Sequence, residues 1–313
     1  MANQRPARSL FCALAVLIAG AGCAGNSAVP AQLSSIAPQI SSRSSPAVKK
    51  CKDRLYVSSY KLNYVDIYCV KGKNQAPIGK ITDGISGPEG LAFDAKGNLY
   101  VTNTVGNTVT EYARGTTTPS FTYTAQLGDP AGVAVDKSND VYVTNLSPAS
   151  MTVFPQQSNT PKQHITGDLT YPIDVAVDPK SNVFVTTYNA GFSAGEIFEF
   201  APGTSSGTNL GITTRGPGGI TLDKSGDIVT ADQGLPGVLV FPPGKISPSK
   251  TFAQNTIDPD PVRLSHNEKL AFVGDAIGNA VYIYDYPSGK LIDTITDGVD
   301  GPNGIASDPS APL

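Results

Sequence analysis

Few residues in this sequence combine a reactive side chain with a spacing that catalysis could use. The chain has two histidines, His164 and His266, and one segment of the form Gly-x-Ser-x-Gly at residues 191–195. That form marks a serine nucleophile only where a strand runs through a tight turn into a helix. Strand patterns flank residues 191–195 on both sides, so the match is best interpreted as coincidence. We expect both histidines to lie on solvent-exposed turns.

Oxygen-bearing side chains form the other candidate site. Glu89, Asp260 and Asn303 each follow a proline that opens the same repeated motif. Carboxylate and amide oxygens suit a hard divalent cation such as Ca²⁺. The opposing interpretation is that Asp, Asn and Glu beside Pro and Gly are ordinary turn residues, and that Arg263 pairs with Asp260 in place of a metal. The choice depends on the elements that carry these residues.

A repeated motif organises the chain. It reads Pro-x-Gly, a short apolar strand, Asp-x-x-Gly-Asn and a second apolar strand, and its copies begin 42 to 45 residues apart. Apolar residues alternate, as in Leu91 and Phe93, with the period of a two-faced strand. Units of three or four short strands at this period predict an all-β fold, a six-bladed β-propeller. The copies begin at Pro88, Pro130, Pro172, Pro217, Pro259 and Pro302.

The two ends of the domain complete one blade. Residues 54–86 hold the later strands of a blade without an opening strand, and residues 302–308 are an opening strand without successors. We therefore expect the C-terminal strand to join the N-terminal blade and close the ring, which avoids exposed sheet edges. The residues after the opening prolines then lie at one mouth of the central channel. Asp260, Asn303 and Glu89 come from the neighbouring blades 6, 1 and 2.

The motif, for example PEGLAFDAKGNLYVTN from Pro88, resembles the NHL repeat and its YVTN-type relatives over residues 54–313. This resemblance implies the propeller fold but no particular function, since such propellers include scaffolds, sensors and a few enzymes. A lyase of the virginiamycin B type is disfavoured, because the chain has no Trp and neither histidine is expected near the axis.

Two of the oxygen donors carry a second resemblance. Pro-Glu-Gly at Glu89 and Pro-Asn-Gly at Asn303 are similar to the gluconolactonase, senescence-marker and luciferin-regenerating family. That family holds a divalent metal with Glu, Asn and Asp at one mouth of a six-bladed propeller. Asp260, within Pro-Asp-Pro, and the order around the ring depart from the family's pattern. The resemblance implies a metal-dependent lactonase-like hydrolase as an alternative function.

Residues 1–22 have the pattern of a signal peptide, with Arg5 and Arg8 ahead of a short apolar stretch. The segment ends in Gly20-Ala21-Gly22-Cys23, which resembles a bacterial lipobox and implies lipidation of Cys23. Gly20 stands where that motif normally has Leu, Val or Ile, so ordinary cleavage and secretion is the alternative. We expect an exported protein, either anchored in the bacterial cell envelope or secreted.

Residues 23–50 predict a flexible linker after the anchor cysteine, because they are rich in Ser, Ala and Pro and lack apolar periodicity. Residues 51–313 remain for the propeller. Cys51 and Cys69 form an even pair in an exported chain, which predicts a disulfide, with two free thiols as the alternative.

Composition limits the partners. Charged residues make up 16% of the chain and its formal net charge is −3, so nucleic acid is not an expected partner and a membrane is expected only through the lipid anchor. We expect a monomeric, non-catalytic binding or scaffold protein whose loop face takes a protein, peptide or carbohydrate. Polar residues that end the second strands would form a ring on that face, or would simply cap hairpin turns. They are Asn103, Asn145, Thr187, Asp232 and Asp275.

Overall fold

Six four-stranded antiparallel sheets form the molecule, in a computed structural model that describes residues 51 and 53–308. The predicted signal peptide, Cys23 and the linker up to residue 50 lie outside the described residues. Blade 1 contains β1 Arg54–Ser59, β2 Tyr64–Cys69 and β3 Gly79–Ile81; blade 2 contains β4 Pro88–Phe93, β5 Leu99–Asn103, β6 Thr108–Tyr112 and β7 Phe121–Tyr123; blade 3 contains β8 Pro130–Val135, β9 Val141–Asn145, β10 Ser150–Phe154 and β11 Gln163–Ile165.

The second half of the ring repeats this order, and the last strand of the chain returns to blade 1. Blade 4 contains β12 Tyr171–Val177, β13 Val183–Tyr188, β14 Gly195–Phe200 and β15 Thr208–Thr214; blade 5 contains β16 Pro217–Leu222, β17 Ile228–Asp232, β18 Gly237–Phe241 and β19 Lys250–Phe252; blade 6 contains β20 Pro259–Leu264, β21 Leu270–Asp275, β22 Ala280–Asp285 and β23 Lys290–Ile295; β24 is Pro302–Ser307.

The predicted ring closure is confirmed. Strand β24 pairs antiparallel with β1, with Tyr56 opposite Ala306 and Val57 opposite Ile305, so blade 1 has the strand order β24-β1-β2-β3. The first strand of each later blade and β24 are the innermost strands. The fold is thus a six-bladed β-propeller, as the repeat predicts.

The Asp-x-x-Gly-Asn segment of the motif forms a tight turn. In blade 2, Asp94 Oδ1 accepts hydrogen bonds from the backbone N–H groups of Lys96 (2.9 Å) and Asn98 (2.8 Å). Gly97 has a φ of +85°, which a residue without Cβ adopts at little cost. Each such turn joins an innermost strand to the second strand, and all of them lie on one face, which we call the lower face.

The hydrophobic core lies between the blades. Tyr56 of blade 1 packs with Leu91 and Val101 of blade 2, and Leu55 of blade 1 packs with Phe272 and other residues of blade 6 on the opposite side. Burial of such aliphatic and aromatic surface is the main source of stability. Since each blade shares its core with both neighbours, the ring fixes the position of every loop on its two faces.

Glycines make the closest approach between neighbouring inner strands around the axis. A Cβ on Gly219 would lie 2.8 Å from the carbonyl oxygen of Asp260, closer than real side chains come. Gly90 and Gly304 are similarly pressed against the backbone of the next blade. No membrane-crossing helix occurs in the part of the chain that the structure describes.

Candidate functional site

The upper face is the one on which the innermost strands begin. Glu89, Asp260 and Asn303 lie there, as predicted, at the starts of β4, β20 and β24, which are adjacent inner strands. Glu89 and Asp260 are buried, and Asn303 is half-buried. No cluster of three His, Cys, Asp or Glu side chains suited to a metal occurs among residues 51 and 53–308. Two carboxylates and one amide are hard oxygen donors, and the metal site stays a prediction.

The expected pair between Arg263 and Asp260 is not formed. The Arg263 guanidinium instead binds Asp174 through Nη1 to Oδ2 (2.8 Å) and Nη2 to Oδ1 (3.1 Å). Asp174 Oδ2 also accepts a hydrogen bond from the backbone N–H of Ile220, at 2.9 Å. The pair reaches from blade 6 to blade 4 across the inner strand of blade 5. Sequence reasoning missed Asp174 because the partner comes from a blade that is not a neighbour.

The lower mouth of the channel contains a cavity of about 280 Å³. Alanines of the inner strands, Ala92, Ala134 and Ala176 among them, line it together with Arg263 and His266. His266 is exposed on a turn, as expected, but it lies at the mouth of the channel, contrary to the expectation that neither histidine comes near the axis. The Arg263 guanidinium at this mouth is already paired with the carboxylate of Asp174.

His164 lies far from either mouth. It is exposed on β11, the outermost strand of blade 3, so the expectation of a turn is wrong for this residue. Its Nδ1 is 2.9 Å from the hydroxyl of Thr152. Residues 191–194 lie in the turn between β13 and β14, and Gly195 begins β14. The Ser193 hydroxyl accepts a hydrogen bond from Asn189 Nδ2 (3.1 Å). This strand–turn–strand context is not a nucleophile elbow.

The polar residues that end the second strands are buried caps. Ser86 N donates to Asn103 Oδ1 at 2.9 Å, and Asp258 N donates to Asp275 Oδ1 at 3.0 Å. The other three act in the same way on the loop that enters their own blade, since backbone donors there need buried acceptors. The interpretation as a polar ligand-binding ring is therefore wrong. The remaining three are Asn145, Thr187 and Asp232.

Apolar residues occupy the position that the polar ring was expected to fill. The turns between second and third strands lie on the upper face, and five of the six expose a large aliphatic or aromatic side chain. Blade 3 differs, because its Leu146 is buried. One further such residue lies in the loop before β20. We call the set the apolar crown: Leu62, Val105, Phe192, Leu235, Ile257 and Ile277, with exposed fractions between 48% and 64%.

Three turns of the crown, those that carry Leu62, Val105 and Ile277, are hydrogen-bonded to the loop beside them. Asn63 and Asn107 have positive φ angles, and their side-chain oxygens accept hydrogen bonds from the backbone of Gly87 (2.6 Å) and Asp129 (2.7 Å) in the next blade. Asn279 accepts the equivalent bond from Gly301, at 2.8 Å. These bonds order the backbone that carries three of the apolar side chains.

The predicted disulfide is present. Cys51 and Cys69 are bonded, with Cα atoms 5.9 Å apart. The bond ties the start of the described chain to the end of β2, on the lower side of blade 1. A disulfide is consistent with an oxidising environment.

The six sheets define a β-propeller. A family model described as strictosidine synthase-like, N-terminal, matches residues 79–109. Comparison with curated protein sequences gives no match. The matched segment covers β4 and β5 of blade 2 and includes Glu89, so it supports a propeller of that general kind.

Solved structures show the same fold at low identity. A chain in the crystal structure of a nidogen/laminin complex has a TM-score of 0.69 and 18% identity, over 83% of this chain and 100% of that chain. A protein of unknown function from Bacteroides caccae has a TM-score of 0.64 and 11% identity, over 82% and 99%. Hydrazine synthase of Kuenenia stuttgartiensis has a TM-score of 0.60 and 12% identity, over 82% and 87%.

Proposed function

We propose that this protein is a non-catalytic binding protein that holds a polypeptide partner on its upper face. The observation that carries the proposal is the apolar crown, in which neighbouring blades expose large side chains on equivalent turns. Single exposed apolar residues are common on soluble proteins, but a set repeated on equivalent turns of one face is typical of an interaction surface. Aliphatic side chains favour a polypeptide over a carbohydrate, which requires more hydrogen-bonding groups and aromatic platforms.

Rigid turns strengthen this proposal. A binding surface that is already ordered loses little conformational entropy when the partner arrives. The bonds from Asn63, Asn107 and Asn279 to adjacent loops supply that order. The surface therefore has the properties of a preformed interface, in which apolar contacts supply affinity and the surrounding polar backbone limits orientation.

Charge indicates the chemistry of the partner. Carboxylates on the turns and entry loops of the upper face outnumber the cations there, which are Lys61 and Arg215. Asp129 is exposed and Asp300 is half-buried beside the crown. Complementary charge favours a partner segment that combines aliphatic side chains with basic residues.

Selection from a phage-displayed random-peptide library tests the proposal. The full chain is the target, and the crown variant carries Leu62→Ser, Val105→Ser, Leu235→Ser and Ile277→Ser. Selected peptides should be rich in aliphatic and basic residues. Their affinity for the crown variant should fall by at least about a hundredfold, because four partly exposed aliphatic contacts are removed.

A matched control separates the crown from general surface hydrophobicity. Ile246 and Leu291 are 65% and 43% exposed but lie outside the crown. The Ile246→Ser, Leu291→Ser variant should bind the selected peptides as the wild type does. Enrichment of no peptide, or equal loss of binding in the crown and control variants, would contradict the proposal.

A metal-dependent hydrolase is a second candidate, favoured by one observation. Glu89, Asp260 and Asn303 begin three adjacent inner strands, and the strictosidine synthase-like match includes Glu89. In such an enzyme the cation would polarise a substrate carbonyl, and these three residues would hold it. Calorimetric titration with Ca²⁺ should give saturable binding that Glu89→Ala abolishes. In a separate assay, the protein should hydrolyse a lactone, and a chelator should stop this turnover. No binding heat in the wild type would exclude this candidate.

We further propose export and anchoring through Cys23. The signal-peptide pattern of residues 1–22 and the Cys51–Cys69 disulfide support export. Expression of the full chain in a bacterium, followed by mass spectrometry of the N-terminus, should find a diacylglyceryl-modified Cys23. A chain cleaved to an unmodified N-terminus would show simple secretion, and an intact residue 1 would contradict export.

A further inference from the structure

A groove separate from both channel mouths lies between blades 6 and 1, on the lower side of the ring. Its walls are the loop after β2, the turn before β21, and strands β22 and β23. Its volume is about 490 Å³, within the range of small-molecule binding sites. No residue of the crown or of the predicted metal site belongs to it.

The floor of the groove is aliphatic. Val70, Leu270, Ile283 and Ile292 line it, and no aromatic side chain does. Ile283 is buried beneath the floor, whereas Ile292 keeps 51% of its surface exposed. Exposure of an isoleucine side chain to water is unfavourable, and a hydrocarbon ligand that covers this side chain would gain the free energy of burying it. The absence of aromatic rings along the walls disfavours stacked sugars or bases.

The rim is positively charged. Lys71, Lys73 and Lys269 stand around the floor with one carboxylate, Asp293. Lys71 Nζ is 3.1 Å from the buried carboxylate of Asp53, and Asp293 Oδ2 accepts a hydrogen bond from the backbone of Asn74 at 3.3 Å. Within the described residues, the ammonium groups of Lys73 and Lys269 have no ion pair. A local excess of free cations on a chain of net charge −3 attracts an anion.

A disulfide and a pair of hydrogen bonds fix the two ends of one wall of the groove. The disulfide from Cys69 to Cys51 fixes one end of the wall that carries Lys71 and Lys73. Asn74 fixes the other end, because its side-chain oxygen accepts hydrogen bonds from the backbone of Thr296 (2.8 Å) and Asp297 (3.1 Å). The cavity is thus part of the folded structure and does not depend on a ligand to form.

We propose that this groove binds a single-chain aliphatic carboxylate, of the fatty-acid class. The hydrocarbon chain lies on Val70, Leu270 and Ile292, and the carboxylate lies between Lys73 and Lys269. Lysine ammonium groups bind an anion without imposing a fixed geometry. This suits a carboxylate at the end of a mobile hydrocarbon chain. The concave floor suits one chain laid into it, whereas docking on a bilayer requires apolar groups that protrude.

Calorimetric titration of the full chain with decanoate and with 1-decanol tests the proposal. Decanoate should bind saturably with one molecule per chain. The Lys73→Ser, Lys269→Ser variant should bind decanoate about tenfold more weakly, with 1-decanol unaffected, because only the charged head is lost. Lys71 is left in place because it pairs with Asp53.

Neighbouring residues of β23 supply the matched control. Ile292→Ser should weaken both ligands about fivefold, since it removes apolar contact area. Leu291→Ser, an exposed residue on the same strand that does not line the groove, should leave both unchanged. The proposal is overturned if decanoate does not bind saturably, or if Leu291→Ser acts like Ile292→Ser. Binding to phosphatidylglycerol vesicles without binding of free decanoate would also overturn it and would assign the groove to a membrane surface.

Discussion

Arg263 and Asp174, which pair beside the inner strand of blade 5, both replace the residue that the repeat favours at their positions. Asp174 is the third residue of its motif, where four of the other blades have glycine, and Arg263 is the fifth, where four have alanine. A carboxylate buried near the axis requires a partner, and a guanidinium among alanines requires an acceptor. The two departures from the repeat therefore compensate each other, 89 residues apart in the chain.

A double-mutant cycle measures this compensation. Arg263→Ala should lower the free energy of unfolding by about 3 kcal/mol, because it leaves a buried carboxylate without its cation. Asp174→Gly combined with Arg263→Ala restores the residues of the other blades and should recover about 2 kcal/mol of that loss. Urea denaturation supplies the values. Strict additivity of the two single changes would contradict the compensation.

An exposed ion pair is the control for that cycle. Lys162 and Asp140 pair on the surface of blade 3, where half of the lysine side chain is in water. Lys162→Ala should change the free energy of unfolding by no more than about 1 kcal/mol, since solvent screens the pair.

Ring closure should contribute strongly to stability. Deleting residues 302–313 removes β24, which exposes the edge of β1 and the apolar surface around Leu55 and Tyr56. We expect a much lower melting temperature, or an insoluble product, by circular dichroism. Deleting residues 309–313 alone leaves β24 intact and should have little effect. An unchanged melt after the longer deletion would contradict closure through β24.

Close packing at the axis predicts that a side chain at Gly132 destabilises the fold. A Cβ there would lie 2.6 Å from Asp174 Cα and 3.0 Å from the Thr144 hydroxyl. Gly132→Ala should therefore destabilise the fold by about 1 to 3 kcal/mol through overpacking. Gly167→Ala is the control, because a Cβ at that position meets nothing within 4 Å. Equal stability of the two variants in urea would show that the inner strands can separate.

Stability should depend on pH through Asp66. Its carboxylate is almost fully buried and 3.6 Å from Lys80 Nζ, and desolvation, only partly offset by Lys80, raises its pKa from 3.8 to about 6. The folded state then binds a proton that the unfolded state releases between these values. The free energy of unfolding should fall as pH rises through that interval, by at most about 3 kcal/mol.

Asp66→Asn isolates that contribution. The difference in free energy of unfolding between wild type and variant should change between pH 4 and 6 and stay constant above that range. A difference that does not vary with pH would show that Asp66 ionises as freely in the folded protein as in the unfolded chain.

Local pattern was enough to predict much of the fold. The spacing of the opening prolines, the alternation seen in Leu91 and Phe93, and the paired Cys51 and Cys69 each depend on short-range rules, and the structure confirms what they predict. Ring closure also followed, because the two incomplete ends of the motif complement each other.

The candidate sites depended on contacts that no local pattern encodes. The partner of Arg263 lies two blades away, so only the closed ring shows that Asp174 reaches it. Turn composition alone does not reveal whether Asn103 faces solvent or caps a loop, since both roles use the same residue type. The apolar crown was not predicted, because the turns that carry Leu62, Val105 and Ile277 differ in sequence. Their equivalent positions become visible only in the folded ring.

Hydrogen–deuterium exchange of the full chain, with and without a selected peptide, tests the central claim most directly. Binding on the upper face predicts slower exchange in residues 60–63, 104–107, 233–236 and 276–279, which carry crown residues, and unchanged exchange in the lower-face turns 95–98 and 137–140. Protection confined to the lower-face turns, or no protection with peptide bound, would contradict the assignment of the upper face as the binding surface.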